Sequence, residues 1–365
     1  MTTRLARWVG PRSSGSNSFS SAIAVSSSGC KDGRHVPALP REMGTCRSAV
    51  RRMNTAFASC DPASPHAAGE CSRAGTCTEG TRRPMNYRHA YHAGNFADVV
   101  KHALLTRLIA YLKRKEKPFR VFDTHAGRGS YSLTSDEARR TGEHADGVGR
   151  LVQAAADVMD DPLLAEYRGA LASDLSEDRY PGSPLIARRL LRPQDRLSAY
   201  ELHPADAAAL KTLFAGDVQT KAIALDGWLA LGSHVPPKEK RGLVLIDPPF
   251  ERTDEVDAIA EGLAKALQRW AGGIYAVWYP LKRPALVAAL HERLDALPVS
   301  ERVTAEFFRE PYTADERFVG TGLTVINPPF VFAAEAEAVL TTLAPLLGSG
   351  EAATFSVFTS SSPHP

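Results

Sequence analysis

The chain has 365 residues and a mass of 39.4 kDa, with 44% hydrophobic residues, 23% charged residues and a formal net charge of +3. That length accommodates one large α/β domain with an insertion, or two smaller domains. No apolar run approaches the roughly 18 residues that a membrane span requires, which argues against a membrane role.

The basic excess belongs to the beginning of the chain. Residues 1–84 hold 12 Lys and Arg against 5 Asp and Glu, leaving 32 against 36 in the remainder. All five cysteines (Cys30, Cys46, Cys60, Cys71, Cys77) lie there, with serine clusters such as Ser26-Ser27-Ser28. Such a segment fits an Arg- and Ser-rich transit peptide, a disordered leader, or sequence upstream of a start at Met85. The last is favoured, because no periodic apolar pattern precedes Met85 and organised sequence follows it directly. The cysteines lack the paired CxxC spacing of a zinc site, and a body without cysteine agrees with a reducing compartment.

The body opens on Tyr87, Arg88, His89, Tyr91 and His92. This aromatic and basic arm suits the stacking of bases and pairing of phosphates, and equally a solvated lead-in to a helix. From Phe96, the residues Val99, Val100, Leu104, Leu105, Leu108, Ile109 and Leu112 form a helical stripe, closed by Lys113-Arg114-Lys115. Residues 120–129 read as a strand ending at Asp123 and running through His125 into a turn at Gly127 and Gly129. The third glycine of a dinucleotide fingerprint and the lysine of a P-loop are both missing. About 130–182 is mostly helical and reads as an inserted subdomain. Ser183 is then placed to cap a helix over 184–191. Strands at 197–203 and 222–227 carry the acids Glu201 and Asp226 at their ends.

The apolar run Leu243 to Ile246 stops abruptly at Asp247-Pro248-Pro249-Phe250. Short runs of this kind suit a buried parallel strand, and the prolines end the ladder while leaving carbonyls free to accept hydrogen bonds. An acid, free carbonyls and an aromatic ring within four residues suit a flat heterocycle with an exocyclic amine, such as adenine; the alternative is a strand ending in a turn. A helix over 255–270, a strand over 273–279 stopped by Pro280, a helix over 282–294 and strands over 301–308 and 322–327 complete seven strands. Alternation of this kind predicts a doubly wound, mostly parallel α/β sheet. Asp123, Glu201, Asp226 and Asp247 then end four strands on one edge, where such sheets bind ligands. Ribose hydroxyls, an adenine amine and a cationic sulfur all have something to offer a carboxylate, which points to S-adenosylmethionine and an adenine substrate. Metal is not expected, since no His/Cys spacing accompanies these acids. Asn327-Pro328-Pro329-Phe330 repeats the motif, but the last strand of such sheets usually runs antiparallel, so this copy is expected to be a structural turn.

The ordered series Tyr-Arg-His at 87–89, His-Ala-Gly-Asn at 92–95, Asp-Val-Val-Lys-His at 98–102, Asp-Thr-His-Ala-Gly at 123–127, Tyr-Pro-Gly-Ser-Pro-Leu-Ile-Ala-Arg at 180–188, Glu-Leu-His-Pro at 201–204 and Ile-Asp-Pro-Pro-Phe at 246–250 resembles the 23S ribosomal RNA adenine-N6 methyltransferases of the RlmJ type. The resemblance covers residues 85–358, leaves out 1–84, and makes 359–365 a tail. It implies a Rossmann-like class I methyltransferase domain with a small helical insertion. It also implies that His102, His125, Ser183, Glu201, Asp226, Gly227 and Asp247 contact S-adenosylmethionine, that Asp247 is also catalytic, and that Tyr87 touches the RNA. The Pro248 carbonyl and the Phe250 ring are expected to act with Asp247, and His89 and Lys101 are expected to join Tyr87 at the RNA. Phe250 departs from the tyrosine frequent in this motif, keeping a stacking face and losing a hydroxyl. The partner implied is 23S ribosomal RNA before full subunit assembly, met in the cytoplasm by a monomer. RNA affinity is expected from a basic surface around Arg88, Lys101, Arg107 and 113–117. Methylation of adenine in DNA is the alternative, and RNA binding without catalysis is a distant third.

Overall fold

The computed structural model describes residues 89–350 and 352–361, so the leader, its cysteines, Met85, Tyr87, Arg88 and the last four residues lie outside the described residues. Helix α1 (Phe96–Lys113) starts where the Asn95 side chain accepts the Asp98 amide at 3.0 Å, satisfying one of the free donors of its first turn. Strand β1 (Arg120–Asp123) follows. Two short antiparallel strands, β2 (Ser130–Ser132) and β3 (Arg179–Pro181), bracket the helices α2 (Asp136–Thr141), α3 (Val148–Val152), α4 (Ala156–Met159) and α5 (Ala165–Leu175). Next come α6 (Ser183–Leu190), β4 (Arg196–Tyr200), α7 (Pro204–Leu213), β5 (Thr220–Ile223), α8 (Gly227–Ser233) and β6 (Gly242–Ile246). The chain continues through α9 (Glu255–Arg269), β7 (Ile274–Leu281), α10 (Pro284–Asp295), β8 (Arg302–Phe308), β9 (Gly320–Ile326), α11 (Phe332–Leu347) and β10 (Thr354–Ser360).

The main sheet has the order β10-β8-β9-β7-β6-β1-β4-β5. Strands β5, β4, β1, β6 and β7 are mutually parallel, whereas β9, β8 and β10 pair antiparallel. From β1 the chain steps outward to β4 and β5, then returns to β6 on the other side, so β1 and β6 flank the switch point beyond which such sheets bind ligands. Side chains of successive strand residues leave opposite faces. Leu243 and Leu245 of β6 accordingly enter a core with α1, α6 and α11, while Val244 and Ile246 enter a second core with α8, α9 and α10.

Among the described residues the sheet holds eight strands rather than the seven expected. The addition, β10, pairs only with β8 along the sheet's open edge and follows α11, beyond the last strand read from the sequence. It runs to Ser360, two residues into the segment expected to be a tail. Pro280 does not stop β7, which pairs with β9 through Leu281. β6 has already ended opposite Val277, so one edge of this stretch has no ladder for proline to interrupt. Ser183 does not cap α6: Gly182 occupies the N-cap position, and Ser183 is the first helical residue.

Candidate active site

The register sets the heights of the acids. Asp123 is level with Leu245 of β6 and Ala199 of β4, so Asp247 and Glu201 each project two residues further along the same edge. Ala199 is in turn level with Ala222 of β5, and Asp226 lies beyond that strand's end. The four strand-end carboxylates thus share one rim. The second copy of the motif does not. Asn327 follows the antiparallel β9, and its amide donates to the carbonyls of Ala271 and Gly273, both at 2.7 Å, at the beginning of β7. Phe330 is 82% exposed. This copy is a turn on the opposite edge, as the antiparallel direction requires.

Asp247 meets a cation from the first helix. The Lys101 ammonium donates to Asp247 Oδ2 at 2.6 Å and pairs with Asp98 Oδ1 at 2.9 Å, with Lys101 only 3% exposed and Asp247 12%. Burial opposes a charged ammonium, but the two carboxylates outweigh it and hold the Lys101 pKa well above its usual value. Asp98 also accepts from the Gly94 amide and pairs with His89 Nε2, both at 2.9 Å. Burial alone would raise its pKa; His89 and Lys101 drive it well below the usual carboxylate range. Lys101 and Arg107 therefore do not form the expected basic surface. Arg107 is buried too, and its guanidinium donates to Glu335 at 2.8 Å. His89 likewise turns inward, to Asp98 and to the Tyr131 ring at 5.1 Å.

Beside this ion cluster the motif turns its aromatic ring. Phe250 has φ +54°, a left-handed conformation that non-glycine residues adopt at some cost and that tends to be kept where a site demands it. Its ring meets Trp278 edge to face at 6.0 Å, and the same indole lies 5.3 Å from the Lys101 ammonium. Trp278 is itself fixed by a 2.7 Å hydrogen bond to Thr321 Oγ1. Neither Asp98 nor Trp278 was singled out from the sequence. The i, i+3 spacing of Asp98 and Lys101 was a visible signal for the first, and the place of Trp278 near the C-terminal end of the strand beside β6 was one for the second.

The other expected residues fall into two groups. Along β1 and β4, Glu201 accepts the Gly127 amide at 2.8 Å and the His203 amide at 2.7 Å, each on a different oxygen, so lone pairs remain on both. Burial raises its pKa. Asp226 caps α8 by accepting the Trp228 amide at 3.0 Å. A Cβ on Gly227 would overlap the Thr124 carbonyl oxygen, so the α8 backbone approaches β1 as only glycine permits. His125 bonds Thr124 at 2.8 Å and meets Trp228 edge to face at 5.0 Å; burial lowers its pKa to about 4. On α1, His102 bonds the Tyr180 hydroxyl at 2.7 Å, and burial lowers its pKa to about 3.

A cofactor with cationic and hydrogen-bonding groups fits what this rim leaves unsatisfied. Asp123 is 1% exposed, yet neither carboxylate oxygen has a hydrogen-bond partner of ordinary geometry, nor does His102 Nε2. Burial pushes the Asp123 pKa up to about 7, with the nearby Ser183 hydroxyl and His125 amide offsetting part of that push. Buried groups of this kind are ordinarily satisfied, and an orphaned one points to a missing ligand. Among the described residues, no cluster of His, Cys, Asp and Glu could hold a metal ion.

Comparison with known proteins gives the same direction. The family described as "Ribosomal RNA large subunit methyltransferase D, RlmJ" matches residues 116–357. Ribosomal RNA large subunit methyltransferase J of Escherichia coli (strain K12) is 40% identical over 252 residues, covering 67% of this chain and 88% of that protein. Its namesake from Haemophilus influenzae is 37% identical over 257 residues, covering 70% and 92%. The crystal structure of protein LPL1258 from Legionella pneumophila str. Philadelphia 1 covers 74% of this chain and 98% of its own, with 35% identity and a TM-score of 0.66. With agreement across most of the described body, the chain belongs to this family, and it is an S-adenosylmethionine-dependent ribosomal RNA methyltransferase.

Proposed function

We propose that the enzyme methylates the N6 amine of one adenine in 23S ribosomal RNA. The observation that carries this reading is the state of Asp247. Lys101 occupies Oδ2, while among the described residues Oδ1 has no hydrogen-bond partner, and the Pro248 carbonyl and the Phe250 ring follow it at once. That set is complementary to a purine amine.

The amine of adenine is a poor nucleophile because its lone pair is delocalised into the ring. N–H hydrogen bonds to Asp247 Oδ1 and the Pro248 carbonyl favour a more tetrahedral nitrogen, and groups placed to stabilise charge that develops in the transition state are usually the largest catalytic contribution. Phe250 stacks on the base, which must leave its helix or be unpaired already. When bound, S-adenosylmethionine supplies an electrophilic methyl group on a sulfonium. Glu201 accepts the ribose hydroxyls and Asp226 the cofactor's adenine amine. His102, His125, Ser183, Gly227 and Asp247 line the same site. The orphaned Asp123 carboxylate receives a cationic or amine group. Lys101 acts through Asp247, and the RNA contact expected of Tyr87 belongs to the arm outside the described residues.

Residues 85–358 serve as the methyltransferase domain, with about 130–182 as its insertion. The need for an extruded base supports action on RNA before the subunit is fully assembled, and we take the enzyme to be a monomer working in the cytoplasm. Labelled S-adenosylmethionine should place its methyl in N6-methyladenosine of deproteinised 23S ribosomal RNA and not in genomic DNA. Folded Asp247→Ala protein should transfer nothing. Full transfer by that variant, or label on any other atom, refutes the reading.

A further inference from the structure

Phe250 has a second face of structure around it. Together with Pro280, Lys282, Arg283, Leu286 and Glu316 it lines a cleft of about 290 Å³, outside the carboxylate rim described above. Lys282 is exposed and Arg283 half-buried, and among the described residues neither forms an ion pair or a side-chain hydrogen bond. This sets them apart from the buried Lys101 and Arg107, whose charges are already matched by carboxylates. Glu316 stands across the cleft and leaves its lining with a single net positive charge. Pro280 and Leu286 supply the apolar wall. The cleft is thus next to the ring that stacks the target base and carries two uncommitted cations.

We infer that this cleft binds the RNA nucleotide adjacent to the target adenine, with Lys282 and Arg283 on its backbone phosphate. The inference rests on the adenine reading of Asp247 and Phe250 and extends it outward along the strand. When a base is drawn into the crevice, its own phosphodiester links stay outside and must be held against the duplex or loop they came from. Cations at that place supply affinity that falls with salt, and arginine can bind a phosphate through two parallel N–H donors. Glu316 faces the same nucleotide as an acceptor for a ribose hydroxyl or exocyclic amine, and it repels a second phosphate. The cleft therefore admits one phosphate and not an extended backbone.

The test compares Lys282→Ala/Arg283→Ala with Lys238→Ala/Lys240→Ala, which removes equal charge at the loop leading into β6, on the opposite edge of the sheet. For the cleft variant the RNA KM should rise on the order of tenfold, and the slope of log Kd against log salt should flatten by roughly 0.7 to 0.9, as one phosphate contact requires. Its kcat at saturating RNA and its Kd for S-adenosylmethionine should match the intact chain. The control should change neither KM nor slope appreciably. A synthetic fragment with a neutral methylphosphonate at the linkage beside the modified adenine should erase the difference between the intact chain and the cleft variant. Unchanged KM and slope in the cleft variant would overturn the inference, as would a methylphosphonate penalty equal in both proteins. A methyl found elsewhere than adenine N6 would instead refute the underlying reading, and the salt slopes would still decide whether the cleft holds a phosphate.

Discussion

Replacing Lys101 by methionine keeps the volume of the side chain's stem and removes its charge. Asp98 would retain His89 and the Gly94 amide, but Asp247 would lose its protein partner at 2.6 Å. Removing one member of a buried ion pair typically costs about 3–5 kcal/mol, because the other charge is left uncompensated. Asp247 is 12% exposed and can recover some hydration, which favours the lower end of that range. In a domain of this size each kcal/mol moves Tm by roughly 2–4 °C, so Lys101→Met should melt about 6–12 °C lower. Adding Asp247→Asn should return most of the loss, since the amide needs no cation. Circular dichroism melts of the four proteins in this cycle give the coupling directly. A Lys101→Met protein that melts within about 2 °C of the parent, or a double variant no more stable than Lys101→Met, would show that the pair does not stabilise the fold in this way.

Three further outcomes follow from other positions. The Asp123 carboxyl has its folded pKa raised to about 7 from 3.8, so its contribution to stability is fully present below the unfolded value and is lost as pH rises through about 7. Asp123→Asn should therefore outlast the parent near pH 8 and match it near pH 4, and a pH-independent difference in Tm would contradict this. Phe250→Ala should lower kcat/KM for RNA by roughly 5- to 150-fold, corresponding to about 1–3 kcal/mol of lost stacking, while cofactor binding measured by calorimetry stays constant. Asn327→Ala removes two hydrogen bonds at the far edge of the sheet and should lower Tm by a few degrees with methyl transfer intact; loss of transfer would redirect catalysis to the second motif.

The strands that carry the acids were legible because their information is local. An apolar run broken by Asp247-Pro248 announces both a buried strand and its end, and the antiparallel fate of Asn327 followed from its place in the strand order. What depends on distant partners was not legible. Lys101 and Arg107 lie on or beside the apolar stripe of α1 and look like surface cations, yet their carboxylates, Asp247 and Glu335, are 146 and 228 residues away in sequence. Ser183 beside Pro184 has the composition of a helix cap, but its hydroxyl lies near Asp123, a strand that the local sequence does not mention. Strand β10 escaped because it is half-exposed at an edge, with no buried run to mark it.

The alternation along β6 has a bearing on how this enzyme can vary. The strand is a partition between two cores, with leucines on one side and Val244 and Ile246 on the other, and Asp247 is the next residue along. A slip of one residue would exchange the occupants of both cores at once, so an error in register is penalised from two sides. The height of the Asp247 carboxylate is thereby indexed to packing in both helical layers. Substitutions drifting into α1 or α11, and others drifting into α8 or α9, all reach the same atom through β6. Neither layer can evolve its packing independently of where that carboxylate stands.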